Sequence, residues 1–391
     1  MTERLLSLDA FRGLVIAAMI WVNYIAGMPA IPYWLEHTGP HADGLTFPDI
    51  VFPAFLFIVG VAIPLSLHRA VGKVDLPLVL RMLWRTAGLL VAGVVLANAY
   101  RYDEAAAPLP RAWFFLLFYV AVILLWRQAA RRGWPFYLGA VLMVALLASF
   151  RGTVNAEFDS VLLQHTWWGI LGMIGWSYLL CAAIYLAVHG ERAALMAALG
   201  GLVALYLGGS AGALDWLPAA LRGFVNIPQL LGSTAANVMA GAVVGTLFVP
   251  GTPVTARGRI RFMAWFAVFQ FACGLLLRPY HGINKIQATA SYTLVCAALA
   301  LALFLLCFVM VDVLRVRRWT AAVLPAGANA VFAYIAPDLW ENLAAVLHLP
   351  RFWWPYWQAG GAAGLVNAVA MTAAMLVVTA LVTRAGLRLR F

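Results

Sequence analysis

The sequence predicts an all-α, polytopic membrane protein: a bundle of about twelve transmembrane helices with both termini in the cytoplasm. Three observations lead there. Hydrophobic residues fill 64% of the 391 positions, charged residues only 10%, and mean hydropathy is +0.90, whereas soluble globular chains are about half apolar and about a quarter charged. The apolar residues fall in blocks of roughly 16 to 24, long enough to cross a ~30 Å hydrocarbon core at ~1.5 Å per residue. Most of the charge sits in short stretches between the blocks. Inside lipid each backbone polar group must be satisfied within its own segment, so such blocks read as helices.

Taken in order, the predicted spans are 10–27, 48–66, 82–98, 112–127, 134–150, 167–188, 193–209, 233–249, 260–277, 290–313, 320–338 and 361–383. The fourth is short, and the stretch before 233 has room for an interfacial or re-entrant piece. Orientation follows from the basic residues. With the N-terminus inside, 19 of the 26 Lys and Arg lie on the inner side, among them Arg4, Arg12, Arg69, Arg85, Arg131, Arg132, Arg259, Arg315, Arg317 and Arg390. Seven lie outside: Arg101, Arg111, Arg151, Arg222, Arg278, Lys285 and Arg351. The positive-inside rule then puts both termini in the cytoplasm, and Asp103 and Glu157 on the outer face.

A net charge of +11 and a pI of 9.9 do not signal nucleic acid, because no basic stripe is interleaved with exposed aromatics. The dominance of arginine over Lys73 and Lys285 points to a GC-rich bacterial genome, and so to a bacterial inner membrane. Cys181, Cys273, Cys296 and Cys307 fall inside apolar blocks with no CxxC, which reads as buried thiols, and no metal site is expected. The first block carries Asn23 and lacks a small-x-small cleavage site, so no cleavable signal is expected. Neither an internal repeat nor a P-loop, GxSxG or HExxH motif is present. The chain reads as one domain, 1–391, with a motif-rich core at 5–70.

Ionisable and polar groups in or beside membrane spans are costly and therefore functional candidates. Asp9 and Arg12 are three apart and can pair on one helix face. They read either as a structural salt bridge or as a place where Arg12 meets a phosphate-bearing ligand from the cytoplasm. Asn23 could bond a neighbouring helix or orient a reacting carbonyl or amine. His37, in the first outer loop, has Asn23 before it and Asp49 after it; an imidazole beside a carboxylate is suited to general-base work at neutral pH. His41 reads as a solvated loop histidine. Pro48 and Pro53 in the first turns of the second span fix its entry geometry. GANAVFAY puts Asn329 in the eleventh span, and PDLWENL puts Asp338, Glu341 and Asn342 at its outer end. The outer segments are rich in Trp and Tyr, as an interfacial belt or as sugar platforms. Tyr24, Trp34, Asn329 and Glu341 are the candidates for contact with a substrate.

These same residues carry a resemblance. SLDAFRG, the VN ending at Asn23, His37 and GLTFPDIVFPAFLFIVG together resemble the heparan-alpha-glucosaminide N-acetyltransferase family and its bacterial NagX-like relatives. WGILGMIGWSYL, NVMAGAVVG, INKIQATASYTL, GANAVFAY and WEN extend it, so that similar blocks span most of residues 5–342. The resemblance implies transfer of an acetyl group from cytosolic acetyl-CoA to an amino sugar or glycan across the membrane, with no metal. It implies that His37 is catalytic, with Asn23 and Asp49, and that Asp9, Arg12 and Arg85 serve acetyl-CoA. The implied partners are the acceptor, acetyl-CoA and membrane lipid, with a homodimer as an open option and no nucleic acid. Three departures stand out: Ala42, Asp43 and Gly44 replace the family's WNG, Gly172 and Met173 replace its QR pair, and 101–150 reads as a two-helix insertion. The rival reading is a transporter or sensor for amino sugars or muropeptides built on the same scaffold.

Overall fold

The computed structural model describes residues 5–128, 133–155, 158–165 and 167–389; Arg4, Arg131, Arg132, Glu157 and Arg390 lie outside the described residues. Among the described residues nine helices are long and apolar enough to cross a membrane. They are built on α1 (Leu6–Ile25), α2 (Phe47–Leu67), α3 (Leu76–Ala97), α6 (Gly169–Ala187), α7 (Arg192–Ser210), α9 (Ala235–Gly245), α10 (Ala256–His281), α11 (Ala290–Phe308) and α15 (Gly361–Arg384). Before α9 runs a π-helical stretch, Ile227–Thr234, and another, Val309–Val313, extends α11. Shorter elements complete the chain: α4 (Arg111–Trp126), α5 (Trp134–Ser149), α8 (Ala219–Phe224), α12 (Leu324–Ala328), α13 (Ala330–Val346) and α14 (Trp354–Ala359). Each predicted span contains a helix, but α4 and α5 have 16 residues each and α13 has 17, roughly 24–26 Å against a ~30 Å core.

The eleventh predicted span is the one that differs in kind. Instead of a continuous helix over 320–338 the chain makes α12, breaks at Asn329 (φ −135°, ψ 53°), and restarts as α13. The break is held by the Asn329 side chain. Its Nδ2 donates to Thr383 Oγ1 (3.0 Å) and Leu387 O (2.9 Å), and its Oδ1 accepts from Leu389 N (3.0 Å).

Small residues set the tightest crossing. A methyl on Gly60 of α2 would overlap the Val238 carbonyl, and one on Gly241 of α9 the Phe57 carbonyl. The two backbones meet there because neither residue has a side chain, the usual device for helix association in lipid. Around this crossing Phe11, Phe57 and Phe304 are all fully buried, with ring centroids 5.7 and 6.4 Å apart along Phe11–Phe304–Phe57. They fill the middle of the bundle. Six helices also follow one another in a closed circuit: α1 on α2, α2 on α6, α6 on α3, α4 on α13 and α13 on α1, with the remaining link made by Trp84 of α3 stacked on Trp126 of α4 at 5.6 Å.

Candidate active site

Asp49 is the anchor. Thr46 caps α2, and Asp49 three residues on reaches back so that its Oδ2 accepts from Thr46 N (3.3 Å) and Thr46 Oγ1 (2.9 Å), the returning half of a capping box. Oδ2 also accepts from Thr38 N (3.2 Å) and Thr38 Oγ1 (2.8 Å). The carboxylate is fully buried. Its backbone carbonyl would ordinarily bond the N–H of residue 53, but Pro53 has none. Tyr292 of α11 fills that role, donating its hydroxyl to Asp49 O at 2.7 Å. The prolines that the sequence places in the first turns of α2 thus free a carbonyl through which α11 grips the helix.

The free face of Asp49 holds the histidine. His37 Nδ1 lies 2.9 Å from Asp49 Oδ1. Lys285 joins them, its Nζ 2.7 Å from the same Nδ1 and 3.4 Å from Asp49 Oδ1. Burial pushes the Lys285 ammonium below the usual lysine range, and the Asp49 carboxylate opposes that shift.

A clamp between two distant loops brings Lys285 here. Asn284 Nδ2 donates to Pro40 O (2.8 Å) and Ala42 O (3.0 Å), Ile283 N donates to Asp43 Oδ1 (2.7 Å), and Gly44 N donates to Ile283 O (3.0 Å). Arg278 Nε closes on Asp43 Oδ2 at 3.0 Å. The Ile283 N–H and then the Arg278 guanidinium hold the Asp43 carboxyl below its usual range. Asp43 thus pins the histidine loop to α10 and to the segment that follows it.

His37 opens into a cavity of about 490 Å³, which it shares with Asn23, Lys285, Met173 and Trp167. A second cavity of about 280 Å³, also lined by Asn23, lies between Tyr24, Asp338, Glu341 and four tryptophans at 340, 353, 354 and 357. Trp354 and Trp357 stack nearly parallel, 6° apart in plane with centroids at 4.8 Å. Glu341 and Asp338 also line a third cavity of about 580 Å³ that reaches Arg111 of α4 and Leu96 of α3. There Tyr119 donates its hydroxyl to Asp338 Oδ2 at 3.1 Å. Tyr24 is tied to the same wall: its hydroxyl accepts from Asn367 Nδ2 (2.9 Å), and its carbonyl from Trp357 Nε1 (2.8 Å).

Other sequence-derived candidates lie elsewhere. Asn329 is fully buried at the far end of α13 from Glu341 and spends its amide on the C-terminal segment, so the expectation of substrate contact there gives way to a fold-holding role. Trp34 is 60% exposed and lines none of these cavities. His41 is exposed. Arg12 Nη1 bonds Asp9 Oδ1 and Gly327 O, each at 3.2 Å, at the end of α1 away from His37. Arg85 lies over the Tyr178 ring at 4.3 Å, and its buried Nε has no hydrogen-bond partner among the described residues. Gly172 packs against Gly93, where a methyl on Gly93 would overlap its amide, and Met173 gives the large cavity an apolar wall. Lys285, Tyr292 and Asn284 are the site residues that reading single motifs missed. Their only sequence signal is the INKIQATASYTL block itself.

Chemically the arrangement suits proton transfer next to a hydrogen-bond donor. With Nδ1–H given to Asp49, the Nε2 lone pair of His37 is free to act as a base, and the Asn23 amide can donate to an oxygen that gains charge. Residues 4–165 match the family model described as heparan-alpha-glucosaminide N-acetyltransferase, catalytic. A Mus musculus protein named heparan-alpha-glucosaminide N-acetyltransferase is 25% identical over 380 residues, covering 87% of this chain and 54% of that protein. The Homo sapiens protein of the same name is 24% identical over 377 residues, covering 87% and 53%. The chain spans about half the length of these curated relatives.

Proposed function

From that kinship and the geometry of the cleft, we propose that the chain is a membrane-embedded N-acetyltransferase, moving an acetyl group from acetyl-CoA to the amine of an amino sugar or related glycan. The observation that carries the reading is the fixed His37–Asp49 contact opening, together with Asn23, into one cavity. In the proposed arrangement twelve helices cross a bacterial inner membrane, both termini are cytoplasmic, and His37 faces the periplasm. The uneven distribution of arginine supports that orientation.

Donor and acceptor are proposed to meet at Asn23. On α1, Arg12, Met19 and Asn23 are spaced by seven and four residues, two turns and one, and so share a face. Met19 and Asn23 line the large cavity, which sets Arg12 on the same face roughly 16 Å below Asn23. Arg85 stands eleven residues before Leu96 on α3, again three turns along one face. These two arginines would take the phosphates of acetyl-CoA at the cytoplasmic end, with the thioester extended toward His37. The acceptor ring would lie in the smaller cavity, against Trp354 and Trp357 and beside Tyr24 and Glu341, with its nitrogen toward Asn23 and entering the step as the neutral amine.

The step is acyl transfer. The acceptor nitrogen attacks the thioester carbonyl carbon, His37 Nε2 takes a proton from that nitrogen, and the C–S electron pair leaves with sulfur. The imidazolium returns the proton to the thiolate, giving the amide and CoA. Asn23 Nδ2 donates to the carbonyl oxygen as charge builds on it, and Asp49 keeps His37 in the tautomer that can accept. Because the two cavities share Asn23, both substrates can be held at once, which favours direct transfer over an acetyl-histidine route.

Reconstituted vesicles of known orientation test the reading. Acetyl-CoA supplied on one side alone should acetylate amino sugar present only on the other, and His37→Ala should abolish it. Unmodified sugar crossing at a rate indifferent to acetyl-CoA and to His37→Ala would instead establish the transporter reading.

A further inference from the structure

The end of the bundle opposite His37 holds the largest of these cavities, about 1230 Å³. Four arginines line it: Arg69 after α2, Arg259 of α10, and Arg315 and Arg317 after the α11 extension, with His68 beside them and Asp312 as the one carboxylate. That leaves an excess of three positive charges around one hollow. The arginines are not used up by the fold. Arg259 lies over the Phe248 ring at 5.1 Å, and its buried Nε has no partner among the described residues. Arg317 spends one N–H on Val311 O at 3.1 Å, and its other donors have no hydrogen-bond partner among the described residues. Asp312 Oδ2 is also buried with no hydrogen-bond partner among the described residues.

This cavity is separate from the cleft at His37. Phe248 and Phe308 form its roof, 5.3 Å apart, and Phe304 packs on Phe248 at 5.7 Å. Behind them stand the fully buried Phe11 and Phe57 and the Gly60–Gly241 crossing. The two cavities share no lining residue. Arg12 and Arg85 are not among the lining residues.

The lining is amphiphilic. Leu5, Leu6 and Val313 share the wall with the arginines, and Leu314 and Val316 nearby are 64% and 48% exposed. Guanidinium forks match phosphate oxygens in pairs, and an apolar rim at a helix-bundle end suits acyl chains at the membrane surface. We propose that this cavity is a second ligand site, for a phosphate group carried by an anionic phospholipid of the adjoining leaflet. The bound headgroup would join the ends of α2, α10 and α11 without entering the catalytic cleft. The proposal does not depend on the transferase reading.

The test compares melting temperatures of the full chain in nanodiscs of phosphatidylcholine alone and of phosphatidylcholine with phosphatidylglycerol. The wild type should melt a few degrees higher with the anionic lipid, since a ligand binding only the folded state stabilises it by mass action. Arg259→Gln/Arg315→Gln should lose that increment, while Arg384→Gln/Arg388→Gln, which removes equal charge outside the cavity, should keep it. Arg315→Gln alone, at an exposed position, covers the case in which the double variant fails to fold, and should lose most of the increment. Equal loss in the control pair would reduce the effect to general surface charge and overturn the site. An equal rise with inorganic phosphate in neutral detergent would overturn the lipid assignment in favour of a soluble phosphate ligand. Displacement of the lipid effect by acetyl-CoA would overturn the separation from the donor.

Discussion

Lys285 Nζ stands 2.7 Å from His37 Nδ1, the same nitrogen that Asp49 Oδ1 approaches at 2.9 Å, so a cation and an anion compete for one atom. Nδ1 cannot donate to Asp49 and accept from Lys285 at once. When it carries the proton, His37 is a base through Nε2 and Lys285 turns to Asp49. When it does not, Nε2–H becomes a donor. The proton inventory of three residues therefore sets which half of an acid–base cycle the imidazole can perform.

Lys285→Met should lower kcat/KM, because it removes the ammonium that lies 2.7 Å from His37 Nδ1 and 3.4 Å from Asp49 Oδ1. Lys285→Arg, which keeps a cation and donors in place, should retain most of the activity. Equal losses in the two variants, read from steady-state kinetics, would show that the charge and donors of Lys285 play no part at His37.

His37→Ala should lower turnover by about 10²–10⁴, the usual worth of a general base, and His41→Ala by less than about tenfold. Asn23→Ala should cost about 10²–10³ in kcat if its amide meets the developing oxyanion. Steady-state kinetics with acetyl-CoA and glucosamine decides this. Equal effects at His37 and His41 would sink the assignment.

Arg12→Ala and Arg85→Ala should each weaken acetyl-CoA binding, measured in detergent at moderate salt, while Arg257→Ala does not. Unchanged affinity in both variants would confine Asp9–Arg12 to a structural pairing and Arg85 to its place over Tyr178.

Tyr292→Phe should cost about 1–3 kcal/mol, the penalty for leaving a buried acceptor unsatisfied, because the Asp49 carbonyl then has neither the hydroxyl nor an N–H from residue 53. Pro53→Ala restores that N–H. Their double variant should lose clearly less than the sum of the two single losses, read from melting in one detergent. Simple additivity would show that the hydroxyl and the proline act independently.

Cysteines introduced singly at Asp103 and Arg351 should label from the outside of intact cells, and those at Arg317 and Arg384 should not, in a background without the four native thiols. External labelling at Arg317 would invert the proposed orientation.

Much of this protein was written locally. Helix existence followed from block length and apolarity, because lipid gives the backbone no other way to satisfy its hydrogen bonds. That rule is blind to breaks made by distant partners. Nothing between 320 and 338 announces that Asn329 will bond Thr383 and Leu387 and interrupt the helix. Asn329, which sequence placed with the substrate-facing residues, belongs to the fold for the same reason.

By itself, then, the sequence determined the helices, the dense polar segment around His37 and the spacing that sets Arg12 on the Asn23 face of α1, since each depends on residues within a few turns of one another. Tertiary structure alone decided that Lys285, 248 positions away, reaches His37, that Tyr292 replaces the bond Pro53 forgoes, and that Asn23 lines two cavities. Periodicity fixes the face a side chain occupies. Which helix or loop meets that face is settled by packing and by the clamp of Asn284 and Asp43 on distant backbone, and those contacts have no local signature.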